Sequence, residues 1–236
     1  MFTPKFLLSG DFLRFEPLLL ERFHTHIRYA AKDLILDLFN DRSKYCYYIL
    51  QGSAAYTLRH SNGDEKLSTF RGKGTIFPLY FSFESTNMDY FLEVTAVTDI
   101  ELLQIPKVAF RALMEEYPAI PFAMIDAYAR YTALLNYDIA SQVFDSVKVK
   151  ICSFLWTTAF SDQHSAGLPI TLTHEEIGRA VGVTRANVSR ILSELRSEKI
   201  ISTTRHSIRI LDKDRLFQSC SCILSVPASL TSDGHD

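Results

Sequence analysis

Residues Thr173–Leu211 read THEEIGRAVGVTRANVSRILSELRSEKIISTTRHSIRIL, with two helix starts, a glycine turn and a hairpin in one unbroken order. Thr173 followed three residues later by Glu176 is a capping box, whose two side chains can satisfy two of the free N–H groups at a helix start. A helix is predicted to begin there. Ile177, Ala180 and Val181 fall at i, i+3 and i+4 and give it one apolar stripe, and Gly182 supplies the left-handed residue that ends it. Thr184 then caps a second helix, in which Val188, Ile191, Leu192 and Leu195 repeat at helical spacing and face a core. Arg185, Ala186, Ser189 and Arg190 are left on the other side. Gly178 stands where a missing side chain lets the two helices approach. After Lys199, Ile200 and Ile201 begin a strand, Thr204 to Ser207 form a polar tip, and Ile208 and Ile210 alternate with Arg209 on the return. An ordinary amphipathic surface helix would explain any one of these signals but not their conjunction, which is that of a winged helix-turn-helix and points to DNA.

With those residues in view, LTHEEIGRAVGVTRANVSRILSELRSEKIIS resembles the DNA-binding end of the CRP/FNR family (cyclic-AMP receptor protein and fumarate-nitrate reductase regulator). Upstream, KDLILDLFN, YCYYILQGSAAYTL, the hairpin at Ser61 to Asp64 and FRGKGTIF resemble that family's N-terminal β-roll in order and spacing. VTAVTDIELLQIPKVAF resembles its last strands and the entry to its long central helix, so the resemblance runs from about Arg28 to Leu211. It implies an α+β fold: an N-terminal β-roll (cyclic-nucleotide-binding-like) sensor domain over 1–117, a long dimerisation helix over 118–145, a C-terminal winged helix-turn-helix domain over 146–217 and a flexible tail over 218–236. It also implies a transcription regulator rather than an enzyme, a homodimer on double-stranded DNA with an inverted-repeat operator, a small-molecule effector, and RNA polymerase as a candidate further partner.

Composition agrees. A chain of 236 residues suits two small domains, and a hydrophobic fraction of 47% fits a globular protein. Lys5, Asp11, Arg14 and Glu16 interrupt any signal-peptide core in the opening residues, and no run approaches transmembrane length, so a cytoplasmic location and no membrane partner are expected. Cys46, Cys152, Cys220 and Cys222 form no disulfide framework, which fits a reducing compartment. The net charge of -2 hides a segregation: Thr173 to Arg215 carries nine Lys or Arg against six Asp or Glu, a balance of +3, which leaves -5 for the remainder. The arginines gather where phosphates would lie.

Phe12 to Arg22 reads as a short leading helix, and His24 to about Gln104 as short strands with alternating apolar positions that include Tyr48, Leu50, Tyr56 and Leu58. Ser61-Asn62-Gly63-Asp64 is a hairpin turn, and strands with such turns point to a β-roll or barrel. Pro106 opens a short helix, Pro118 and Pro121 interrupt the chain, and from Phe122 to Asp145 a long helix is predicted. Along it Phe122, Ile125, Ala129, Thr132, Asn136, Ile139 and Val143 repeat in heptad spacing, a seam for a parallel homodimer; the plainer alternative is that this stripe packs on its own β-roll. Ile151 to Phe160 reads as the first helix of the C-terminal domain, SDQHSAG as a loop, and the serine-rich residues after Gln218 as a loose tail.

In the sensor, cyclic-nucleotide members of the family place a Gly-Glu pair and a later Arg followed by Ser or Thr around phosphate and ribose. The corresponding positions here are Phe77-Pro78 and Tyr90-Phe91, and a phosphate buried without an arginine or free N–H groups costs several kcal/mol. Cyclic AMP is therefore not expected as effector. The iron-sulfur branch needs cysteines near its N-terminus, whereas the first here is Cys46, so no cluster is expected. His24-Thr25-His26 has the spacing of metal-binding β-barrel enzymes but lacks the usual glutamate, and Cys220 with Cys222 lacks a partner pair; haem ligation by Cys46 or a histidine has no support in spacing. No cofactor and no metal site are expected. Phe77, Phe81 and Phe83 alternate along IFPLYFSFE with Tyr80 opposite, and together with Tyr90 and Phe91 they either fill the β-roll or line a pocket for a mainly apolar effector. Two other classes remain open: a constitutive DNA-binding module with a degenerate sensor, and a metal-binding β-barrel enzyme fused to a DNA-binding domain.

The resemblance places Arg185 and Arg190 where relatives touch guanine edges, with Ala186 in place of a glutamate that accepts from cytosine and Ser189 on the same base-reading face. A bidentate arginine reads guanine O6 and N7. Thr173, Thr184 and Asn187, with Arg205 and His206 at the wing tip, are expected to hold phosphates and so set register.

Overall fold

The computed structural model describes residues 7–37, 44–78, 90–160, 170–204 and 207–221. In chain order these form β1 (Leu7–Leu8), a 3-10 turn (Leu13–Phe15), α1 (Glu16–Arg22), β2 (Thr25–Tyr29), β3 (Leu34–Asp37), β4 (Tyr45–Gln51), β5 (Ser53–His60), β6 (Glu65–Gly72), β7 (Ile76–Phe77), β8 (Tyr90–Ala96) and β9 (Ile100–Pro106). Then follow α2 (Lys107–Glu116), α3 (Ala119–Phe144), α4 (Val147–Ala159), α5 (His174–Val181), α6 (Arg185–Ser197), the hairpin β10 (Ile201–Thr203) and β11 (Ile208–Ile210), and α7 (Lys213–Gln218). Two compact units result, Leu7–Thr132 and the chain from Ala133 onward, with α3 contributing to both. The fold is α+β.

The first unit is a two-sheet roll. One sheet runs β1-β6-β5-β8-β3 and the other β2-β9-β4-β7, and every pairing is antiparallel except β1 with β6. Alternation divides β4 and β9 between two cores. Tyr47, Ile49, Phe77, Ile100 and Leu102 face the other sheet, where they meet Ile35, Ala54, Tyr56, Val94 and Ala96. Cys46, Tyr48, Leu103 and Ile105 face outward onto Phe12, Leu19, Phe110, Leu113, Ile120 and Ala127 from the helices. The central strands are thus covered on both faces, which is why YCYYIL reads as a continuous apolar run. Tyr48 is fully buried but keeps a partner, its hydroxyl donating to Glu16 at 2.6 Å. Burial and that carboxylate together raise the pKa of its hydroxyl. The turn at Ser61–Asp64 forms as expected: Asp64 N donates to the Asn62 side chain at 3.0 Å, and Gly63 takes φ +93°.

Three elements differ from the sequence expectation. The long helix begins at Ala119 rather than Phe122 and includes Pro121, whose missing N–H falls in the first turn, where it has no acceptor to lose. The first helix of the second unit begins at Val147, four residues early, because the Ser146 hydroxyl caps it by accepting from Val149 N at 3.3 Å. The tail expected after Gln218 is ordered at its start, where it continues from a helix absent from the sequence reading. Asp212 caps α7, the Phe217 ring lies 5.0 Å from that of Trp156, and the buried Ser221 donates its backbone N–H to Ser153 at 2.8 Å and its hydroxyl to Asp145 at 3.0 Å. The SDQHSAG loop lies outside the described residues.

Candidate nucleic-acid interface

The second unit is organised around α5 and α6. Thr173 Oγ1 accepts from Glu176 N at 3.2 Å while the Glu176 carboxylate accepts from Thr173 N at 2.7 Å, so the capping box is closed in both directions. Gly182 ends α5 at φ +69°, a left-handed position that costs glycine nothing. A Cβ on Gly178 would stand 2.6 Å from the Val183 carbonyl oxygen, so the tight approach of the turn to α5 requires the missing side chain. Thr184 Oγ1 accepts from Asn187 N at 3.3 Å and starts α6 two residues after α5 has closed.

On α6, Val188, Ile191, Leu192 and Leu195 are buried, and Arg185, Ala186 and Arg190 are exposed. The acids near these arginines are already neutralised. Glu194 is held at 2.6 Å by Lys148 of α4, whose hydrogen bond draws its pKa below the usual carboxylate value, and Lys148 also lies 3.6 Å from Glu198. Glu175 pairs with Arg179 at 3.1 Å. Among the described residues neither Arg185 nor Arg190 forms an ion pair, so both cations remain available to an outside anion. Ser189 differs from its neighbours: it is half-buried and its hydroxyl lies 2.8 Å from Nδ1 of His174, which ties it to the start of α5.

The hairpin β10–β11 pairs Ile201 with Ile210 and Thr203 with Ile208, and Ile208 also bridges to Ile170. Its tip closes with Thr204 N donating to the Ser207 carbonyl at 2.8 Å. Arg196 donates to Thr203 at 3.5 Å, bracing α6 against the wing. Between wing and helices runs an open cleft lined by Thr171–Glu175, Arg185, Thr203, Thr204 and Ser207. Thr173 and Thr184 are exposed beside it and Asn187 is half-buried, while Arg205 and His206 lie outside the described residues.

The other sequence-level candidates are dispersed. Phe77 is 1% exposed and packs between the rings of Tyr47 and Tyr56, at 5.7 and 6.1 Å. Tyr90 and Phe91 open β8, and Tyr80, Phe81 and Phe83 lie outside the described residues. His24 precedes β2, His26 is bound to Glu101 at 3.0 Å, and no cluster of three or more metal-ligating side chains exists among the described residues. Cys46, Cys152 and Cys220 are free thiols, each pushed up to about 12 by burial. Sequence reasoning missed Arg71. It is a charged side chain on the core-facing side of β6, and no helix or turn signal marks it.

Residues 149–218 match the Crp-like helix-turn-helix domain, and residues 26–117 match the cyclic nucleotide-binding domain. The chain belongs to the CRP/FNR family of DNA-binding transcription regulators. It is 27% identical over 183 residues to the cAMP-activated global transcriptional regulator CRP of Salmonella typhimurium, covering 76% of this chain and 86% of that protein. It is 24% identical over 174 residues to the global nitrogen regulator of Nostoc, covering 72% of this chain and 78% of the relative. Among solved structures, CooA from Carboxydothermus hydrogenoformans superposes with a TM-score of 0.71 at 19% identity, covering 89% of this chain and 99% of that one. The c-di-GMP responsive regulator CLP of Xanthomonas campestris gives 0.70 at 18%, covering 83% and 96%. These structures establish the fold. No helix among the described residues is long and apolar enough to cross a membrane.

Proposed function

We propose that this CRP/FNR regulator is a homodimer that reads an inverted-repeat operator with α6 of each subunit, gated by a small molecule other than cyclic AMP. The observation that carries the DNA-reading claim is the outer face of α6, where Arg185 and Arg190 are exposed and without an ion pair among the described residues, while the neighbouring Glu194 and Glu175 are paired with Lys148 and Arg179. Arg185 and Arg190 are assigned to guanine edges and Ala186 to an apolar contact. Thr173, Thr184 and Asn187 are assigned to phosphates, as are Arg205 and His206 from sequence. Ser189, bound to His174, is better placed to fix the tilt of α6 against α5 than to reach a base.

The dimer rests on the heptad stripe of α3. All seven of its residues are exposed in the single chain, with Phe122 at 67%, Ile125 at 62%, Ile139 at 61% and Val143 at 68%. A single chain that leaves so much apolar surface on one helix has an incentive to cover it with a second copy. Two recognition helices related by a two-fold axis then match half-sites about one helical turn apart.

Exclusion of cyclic AMP rests on residue identity, since Phe77-Pro78 and Tyr90-Phe91 supply neither the carboxylate nor the arginine that phosphate and ribose need. Calorimetry on the full chain is expected to show no heat of binding with cyclic AMP or cyclic GMP. Micromolar affinity for either would overturn that part.

A further inference from the structure

Arg71 on β6 stands in register with Ala54 of β5, and Thr69, two residues earlier, with Tyr56. Cross-strand partners share a face, so Arg71 is directed to the same inner side of the sheet as Ala54 and Tyr56, both members of the core between the sheets. Only 7% of this charged residue is exposed. Its guanidinium carbon lies 4.9 Å from the ring centroid of Tyr56 and 4.9 Å from that of Tyr131 on α3. The Tyr131 hydroxyl is fixed 3.2 Å from that of Ser68. One turn earlier on the same helix, burial pushes the Tyr128 hydroxyl up and the Arg71 charge works against that push. Nε of Arg71 is sealed from solvent and has no hydrogen-bond partner, and no carboxylate among the described residues pairs with the guanidinium.

Such a cation is in an unfavourable position. Two aromatic faces offset part of the lost hydration, but among the described residues they leave the in-plane Nε–H without an acceptor. Structural arginines in protein interiors are normally paired and hydrogen-bonded. One whose Nε–H has no partner among the described residues, set between two tyrosine rings, has the character of a preformed anion receptor.

We infer that Arg71 anchors the effector of this sensor domain, and that the effector is a small monoanionic carboxylate with a planar, apolar body. One guanidinium neutralises one charge, and its flat fork matches the two oxygens of a carboxylate. The neighbours around it, Tyr56, Tyr131 and Ala54, are aromatic or apolar, which suits a flat hydrophobic body. Tyr128 and Tyr131 belong to α3, so a ligand on Arg71 touches the helix that carries the proposed dimer seam and can bias one of its arrangements. This inference rests on the effector-gated reading above.

The test uses the full-length chain without DNA, with benzoate as the carboxylate probe, benzamide as its neutral isostere and cyclic AMP as a different monoanion. Benzoate is expected to bind saturably and raise the unfolding temperature, and benzamide and cyclic AMP to do neither. Arg71→Met is expected to weaken benzoate roughly 10- to 100-fold, while unfolding without ligand at the wild-type temperature or above, since it removes an unpaired buried charge. Unchanged benzoate binding in Arg71→Met would overturn the anchor, as would an unliganded variant that unfolds well below wild type, which would make the arginine structural. No benzoate binding to wild type, or an Arg71-dependent response to cyclic AMP alone, would overturn the carboxylate class. Operator binding by the same preparations is scored separately: wild type that binds operator but no benzoate sinks only the anion site, whereas wild type that binds no operator sinks the regulator reading.

Discussion

Arg190 and Arg71 are the same residue in two solvents. Neither forms an ion pair among the described residues, but Arg190 stands in water on α6 and Arg71 is enclosed between tyrosine rings in the β-roll. Water stabilises the exposed arginine until a DNA backbone or base edge replaces it, so being unpaired costs it little. The buried one has surrendered much of its hydration, and among the described residues its Nε–H has no acceptor in exchange, a cost that the fold carries. An unpaired charge on a surface indicates where a partner of opposite sign can land, whereas one in a core indicates where an anion would be held most tightly.

The largest expected effect concerns the seam, because DNA reading needs two copies of α6. Ile125→Lys with Ile139→Lys places like charges across the stripe and is expected to yield monomers in analytical ultracentrifugation. With them goes the avidity of paired half-sites, roughly 100-fold or more in operator affinity. A double variant that sediments as a dimer would put the interface elsewhere.

Next comes the exposed arginine. Arg190→Ala is expected to weaken specific binding by about 1 to 3 kcal/mol, roughly 5- to 150-fold, with a much smaller change on random DNA. Arg205→Ala is expected instead to weaken both together and flatten the salt dependence of binding, as a phosphate contact does. Equal losses for both variants on both kinds of DNA, measured by fluorescence anisotropy across salt, would erase the distinction between reading and positioning.

The contrast between the two regions is also one of legibility. In the DNA-binding half, Thr173, Glu176, Gly182 and Thr184 act on neighbours within a few residues, and each formed the contact that its spacing predicts. In the roll the decisive contacts join residues far apart in sequence. Arg71 meets Tyr131 sixty residues on, and a register shift between Tyr56 and Thr57 places Thr69 opposite one and Leu67 opposite the other, skipping Ser68. A bulge of this kind flips the strand's parity, so counting by twos from Leu67 along EKLSTFRG assigns the wrong face to one half of the strand. Alternation therefore gave no means of telling that Arg71 points inward. α7 was missed for a different reason: six residues opened by Asp212 carry too little periodicity to stand out from a polar tail.

A smaller effect separates folding from reading. Thr184→Ala removes the cap of α6 and is expected to cost about 1 kcal/mol of stability, a drop of roughly 4 °C in the unfolding temperature of this domain. Its base preference should stay unchanged. A shifted consensus without a stability loss would make Thr184 a reader instead of a cap.

Smallest of all is a chemical difference. Burial pushes Cys46 in the roll and Cys152 and Cys220 in the DNA-binding half up to about 12, so at pH 8 all three are expected to remain protonated and resist alkylation by iodoacetamide in the folded chain. Mass mapping that finds Cys152 or Cys220 labelled as fast as in denaturant would show that the α4–α7 packing opens readily.

Selection of binding sites from a random DNA pool by the full-length chain tests the DNA-reading claim most directly. The expected product is an inverted repeat with half-sites about one helical turn apart, a guanine in each half and no cytosine requirement opposite Ala186, with the guanine preference relaxed for Arg190→Ala. An enriched motif without two-fold symmetry, or an identical consensus for wild type and Arg190→Ala, would contradict it.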